Sequence, residues 1–78
     1  METVISMDSP EARHVHFKFS KRQRVRSRND RSTIGTVEDG RHKGGYPSGW
    51  YENEYLVRVS DAVSFQAKED DLEEVPNE

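Results

Sequence analysis

No stretch of this chain reads as a helix of ordinary length. Short apolar–polar alternation recurs instead, broken by glycine, proline, asparagine or aspartate. Period-two alternation places every second side chain on one face, as a half-buried strand requires. The strongest such run is Glu54-Tyr55-Leu56-Val57-Arg58-Val59, and Tyr55-Leu56-Val57 is the longest apolar stretch. Gln23 to Arg28 alternates with Arg24, Arg26 and Arg28 on one face and Val25 and Ser27 on the other. Thr33-Ile34-Gly35-Thr36-Val37 is β-branched around one glycine, which suggests a bulge or a close backbone approach. Ala62 to Ala67 reads as another strand, Glu74-Val75 as a last short one. Val15, Phe17 and Phe19 share one face of a further strand. Asn29-Asp30-Arg31-Ser32 and Ser60-Asp61 are turn chemistry. Glu69-Asp70-Asp71-Leu72 suits a single helical turn with its acids first.

Four or five short strands without a long helix leave exposed edges. Closure into a small antiparallel barrel is the economical remedy. The chain has 78 residues, 31% hydrophobic and 35% charged. That suffices for one small domain. Its expected core is Val25, Ile34, Val37, Leu56, Val57, Val59, Val63, Phe65, Leu72 and Val75. Two lobes around a deep cleft are out of reach, so large enzymes, transporters and multidomain receptors are excluded. No apolar run approaches the ~20 residues of a membrane helix. Residues 1–20 lack the apolar stretch of a secretory signal. Residue 2 is Glu, and the chain contains no Cys. Lipidation, disulfides and thiolate metal sites are therefore not expected. A small secreted domain would usually need such staples, so a cytoplasmic location is expected.

Net charge is −3, but it is unevenly spread. Arg13 to Arg31 holds eight basic residues and one acid, Asp30, whereas Glu69 to Glu78 holds six acids and no base. Such asymmetry speaks to partners rather than to fold. Arg24, Arg26 and Arg28 would stand ~6.6–7 Å apart, twice the strand rise. Lys21, Arg22 and Arg31 extend the patch. Guanidinium forks suit phosphates and carboxylates alike. With Phe17, Phe19 and the loop aromatics, the patch could offer basic groups and stacking rings to a single-stranded nucleic acid. The negative net charge argues against that, and the acidic C-terminal segment could fold across the patch. The blander alternative is a solvated strand face.

Gly40 to Gly49 contains four glycines and one proline, and reads as part of a long loop over residues 40–53. Tyr46, Trp50 and Tyr51 are unusual in a passive linker; amphipathic rings there suit a protein partner. Trp50 and Tyr55 could equally cap the core, which is preferred for Tyr55. Gly40 to Gly45 lacks the Gly-Lys-Ser/Thr ending and following helix of a phosphate loop. His14 and His16, with His42 as a third nitrogen, have metal-like spacing on a strand. No Cys or flanking carboxylate completes the set, so surface histidines are preferred. The acids of residues 69–74 are contiguous rather than paired across a cleft. No catalytic residue, metal or cofactor is expected.

The order Val25-Arg26, Gly35-Thr36-Val37, Tyr55-Leu56-Val57-Arg58-Val59, Phe65-Gln66-Ala67 and Asp71-Leu72-Glu73-Glu74-Val75 resembles SH3-like small barrels. It is most similar to the electron-transport accessory group, which includes the small peripheral photosystem I subunit. That group often carries a G-T-V strand, an aromatic-rich V-x-V strand, then F-x-A and L-E-x-V. The resemblance spans residues 23–75 and implies a fold but no catalytic residue. It also implies that loop aromatics beside acids line a peptide groove. The basic segment before Gly35 and the 40–53 loop depart from the group. The expectation is an all-β, SH3-like barrel over residues 15–75, with a mobile arm at 1–14 and a frayed end at 76–78. Its expected role is to dock on a larger protein, one with an acidic surface, through Arg24, Arg26, Arg28, Tyr46, Trp50 and Tyr51. Nucleic-acid binding is the alternative, and no membrane association is expected.

Overall fold

Alternation becomes sheet over about half of the described residues. The computed structural model describes residues 2–45, 49 and 51–76. Six antiparallel strands form: β1 (Glu2–Ser6), β2 (Arg24–Ser27), β3 (Ile34–Gly45), β4 (Tyr51–Arg58), β5 (Ser64–Lys68) and β6 (Leu72–Glu74). Two 3-10 turns, Pro10–His14 and Glu69–Asp71, are the only helical elements among the described residues. No helix there is long and apolar enough to cross a membrane. Strands β2 to β5 form a meander. The second 3-10 turn then returns the chain so that β6 pairs with β2, giving the order β5-β4-β3-β2-β6.

Strand β3 organises this small all-β fold. Its first residues pair with β2, Arg24 opposite Thr36 and Arg26 opposite Ile34. Its last five pair with β1, Ser6 opposite Arg41 through Glu2 opposite Gly45. Strand β4 lies along its other edge, with a register break between Val37 and Asp39. The extra residue, Glu38, is a bulge, which bends a strand and increases its twist. One continuous strand thus serves two neighbours on one edge. Gly35 is the close approach that its sequence setting suggested. A Cβ there would lie 2.6 Å from Val57 Cγ1 and 2.7 Å from the Arg58 carbonyl oxygen.

Phe19, Val25, Val37, Tyr55, Val57 and Leu72 form the buried core, with Met7, Phe17, Phe65 and Ala67 packed around it. Along β4 the inward residues are Asn53, Tyr55 and Val57. That register sends Leu56 to the opposite face, where it is only half-buried. Ile34 and Val75 are also half-buried. Val59 and Val63, expected in the core, are 39% and 53% exposed. They flank the β4–β5 turn, where Val59 N–H donates to the Val63 carbonyl. Tyr55 caps the core as expected. Phe17 and Phe19, weighed as stacking surfaces, pack edge-on against Tyr55 at 6.2 and 5.4 Å between ring centroids.

Three segments differ from expectation. Residues 2–14, expected as an arm, contain β1 and the first 3-10 turn. Ser9 caps that turn by accepting from Glu11 N–H, with Pro10 at its first position, where proline's missing N–H costs nothing. Residues 15–19 keep the predicted alternation, but they form no strand. Their backbone bonds to side chains instead: Lys18 N–H to Glu69, Phe19 N–H to Tyr55, and the His16 carbonyl to Asn53. Residues 40–45 and 51–53, expected in a loop, belong to β3 and β4.

Candidate functional site

Asn53 is a polar residue at an inward strand position, and only 4% of it is exposed. A buried amide needs partners, and it has them on every side. Its Nδ2 donates to the His16 carbonyl at 2.7 Å and to Glu69 Oε2 at 2.8 Å. With both amide hydrogens committed, Oδ1 must accept, so His42 Nδ1–H donates to it across 2.7 Å. Glu69 Oε2 also accepts from Tyr55 Oη at 2.6 Å and from Lys18 N–H at 3.1 Å. Residues 16–19 and β4 thus meet at the Glu69 carboxylate of the second 3-10 turn, and β3 joins the network through His42 and Asn53.

The ionisation of this cluster follows from its bonding. Burial pushes the Glu69 carboxyl up, but donors from Tyr55, Asn53 and Lys18 N–H together outweigh it and hold the group below its ordinary value of 4.5. Burial, then the hydrogen bond to Glu69, raises the Tyr55 phenol well above its ordinary range. Neutral Tyr55 and charged Glu69 are therefore mutually reinforcing. The sequence reading passed over Asn53. Its signal was its place two residues before Tyr55 and four before Val57, on the apolar face of the strongest strand.

This cluster orients His42, and His42 orients Tyr51. The two rings stack at 5.2 Å with 28° between their planes. Tyr51 is nevertheless 68% exposed. The register places Thr3, Gly44 and Tyr51 in one cross-strand row and Ile5, His42 and Asn53 in the next row on the same face, two residues along. With Val15, the Thr3, Ile5, His42, Gly44 and Tyr51 of these rows line a shallow, largely apolar groove over β1, β3 and β4, and Asn53 lies buried beneath it. Gly44 and Gly45 at its floor add no side chains to fill it. The sequence reading missed the contribution of β1, although Thr3-Val4-Ile5 is a β-branched run ended by Asp8-Ser9-Pro10. Tyr46 and Trp50 lie outside the described residues.

The arginine ladder divides. Arg24 and Arg28 are exposed, while Val25 between them is fully buried. Arg26 is not the free outer-face group that alternation suggested. Its Nη2 bonds Glu73 at 3.0 Å across the β2–β6 ladder, and Arg31 lies 3.9 Å from the same carboxylate. The acidic segment therefore does cover part of the basic strip. These arginines do not adjoin the aromatic groove either. Arg24 is opposite Thr36 and Tyr51 is opposite Gly44, so eight residues of β3, roughly 26 Å at strand rise, separate them. His14 ends the first 3-10 turn and His16 follows in non-strand backbone, which removes the shared strand face that made their spacing metal-like. The chain matches no family model, no curated protein and no solved structure.

Proposed function

We propose that this chain is a non-catalytic, SH3-like small barrel that binds a larger protein through the Tyr51–His42 groove. Long-range steering comes from Arg24 and Arg28. The return of β6 to β2 through a 3-10 turn supports the barrel reading, because a chain that leaves one edge strand and pairs beyond the other must curl the sheet on itself. The observation that carries the binding reading is Tyr51 itself. It is an exposed aromatic backed by a ring that a buried hydrogen-bonded cluster holds in place. Pre-organised aromatic anchors lose little entropy on binding, which is why they dominate interface energetics.

A nucleic-acid role is less well supported, because the central arginine of the ladder is already committed to Glu73. Both readings meet one experiment. The full chain and its Tyr51→Ala and Arg24→Glu/Arg28→Glu variants are immobilised and challenged with source-cell lysate and with single-stranded DNA and RNA. The protein reading expects a polypeptide partner that Tyr51→Ala fails to retain. Retention of nucleic acid near physiological salt, lost on arginine reversal and indifferent to Tyr51, overturns it.

A further inference from the structure

Arg22 occupies a backbone conformation that its residue type disfavours. Its φ is +69°, the one positive value at a non-glycine among the described residues. It is the third residue of a turn closed by Gln23 N–H donating to the Ser20 carbonyl at 3.2 Å. A positive φ at that position defines a turn in which glycine is strongly preferred. The strain is locked in, because Arg22 N–H also bonds the Val37 carbonyl at 2.7 Å. Strained residues persist where surrounding structure over-determines them, and they concentrate at functional sites.

The Arg22 side chain is exposed and meets no carboxylate within ion-pair distance among the described residues. It lines a shallow concavity with Lys21, Thr36, Val37, Glu38 and Arg58. Arg24 stands opposite Thr36 on the adjoining strand and is equally without an ion-pair partner there. Arg58 is occupied: Nε and Nη2 grip both oxygens of Glu38, and Nη1 donates to the Asp61 carbonyl. Lys21 pairs with Asp8 at 2.7 Å, but both side chains are about half exposed. Such surface pairs are weak and readily exchanged.

We infer that this concavity is an oxyanion site for a phosphate monoester, held by Arg22 and Arg24 with Lys21 and the Thr36 hydroxyl. Planar guanidinium forks present paired donors to phosphate oxygens. The flanking carboxylates select a single phosphoryl group over a polymer. Glu38 lies in the concavity itself, and Glu73 sits further along the basic strip on Arg26. A polynucleotide running along the strip would meet both negative charges, whereas one phosphoryl group in the concavity meets only Glu38, whose two oxygens are already held by Arg58. The groove at Tyr51 lies toward the other end of β3, so this site shares only Arg24 with the protein-binding reading and does not rest on it.

The test titrates the full chain with inorganic phosphate at constant ionic strength and follows amide and arginine side-chain resonances. Saturable shifts are expected at Lys21, Arg22, Arg24 and Thr36. Arg22→Gly is the decisive variant, because it should raise the melting temperature by relieving the turn while weakening phosphate at least about tenfold, the loss of one charge-assisted hydrogen bond. Arg24→Gln should weaken phosphate without the gain in stability. Arg41→Gln removes an equal charge from an exposed site elsewhere on β3 and should leave binding unchanged. Competition by a phosphoserine peptide or by a sugar phosphate then identifies the source of the phosphoryl group, and either outcome supports the site. Equal losses in Arg22→Gly and Arg41→Gln overturn it, as do unsaturable shifts. So does a single-stranded oligonucleotide that competes more strongly than inorganic phosphate with a steep salt dependence.

Discussion

Glu69 stands between the fold and the candidate groove, because it anchors Asn53, which in turn anchors His42. Its carboxyl is held below the ordinary value of 4.5. A depressed carboxyl contributes stability that is fully present above the unfolded value and lost as pH falls through the folded one. Thermal melts of the wild type should therefore show falling stability below about pH 4.5. Glu73, held low by Arg26, adds to that slope. Glu69→Gln should flatten the slope and, at neutral pH, cost about 1–3 kcal/mol, the penalty for disturbing a buried charge-assisted network. An unchanged acid profile in Glu69→Gln would remove Glu69 from this account. Gly35 makes a second prediction at this scale. Its missing Cβ would strike backbone and Val57 rather than a flexible side-chain end. Gly35→Ala should destabilise by about 1–3 kcal/mol, as overpacking does, measured by urea unfolding.

Strand register decides how substitutions within one element differ. Val57 is fully buried on β4, so Val57→Asp places an unpaired carboxylate in the core and should unfold the domain. Arg26 lies on the outer face of β2, where it pairs with Glu73 and carries a buried Nε without a partner among the described residues. Arg26→Ala should cost only about 1 kcal/mol, since the lost ion pair is partly offset by release of that orphaned donor. Equal losses in circular-dichroism melts would contradict the register. Strands β2, β4, β5 and β6 were legible in sequence because their side chains alternate. The far half of β3 was not. Gly40, Gly44 and Gly45 read as turn residues, yet Gly40 serves packing: a Cβ there would lie 2.9 Å from Met7 Cε and 3.2 Å from the Tyr55 ring. Composition cannot distinguish a glycine that bends a chain from one that lets a neighbour approach. Residues 15–19 misled in the opposite way. Their alternation is real, but their backbone partners are the side chains of Asn53, Tyr55 and Glu69, which no local pattern announces. The tyrosine at 51 was legible as a candidate anchor, whereas the histidine behind it became one only through long-range pairing.

At the scale of the whole molecule, the body is elongated, 40 Å along its longest axis against 25 Å on the other two. Its aromatic groove and its exposed Arg24 and Arg28 lie toward opposite ends of β3. That separation assigns them different parts of one binding event. Tyr51 is a short-range anchor whose energy is realised only once its ring is covered, so Tyr51→Ala should act mainly by speeding dissociation. Arg24 and Arg28 act at a distance through their field, which a Debye length of about 8 Å at physiological ionic strength confines to the approach to their own end. Arg24→Glu/Arg28→Glu should therefore slow association, and raising salt should erase the difference from wild type. The partner this predicts carries an acidic region roughly 26 Å from the pocket that receives Tyr51, the span of β3 between the two sites. Surface-plasmon kinetics on the captured partner, run across a salt series, separate the two contributions. If reversal of the arginines instead changes only dissociation and its effect persists at high salt, the arginines are buried contacts rather than steering charges. The partner must then cover both ends of the molecule at once.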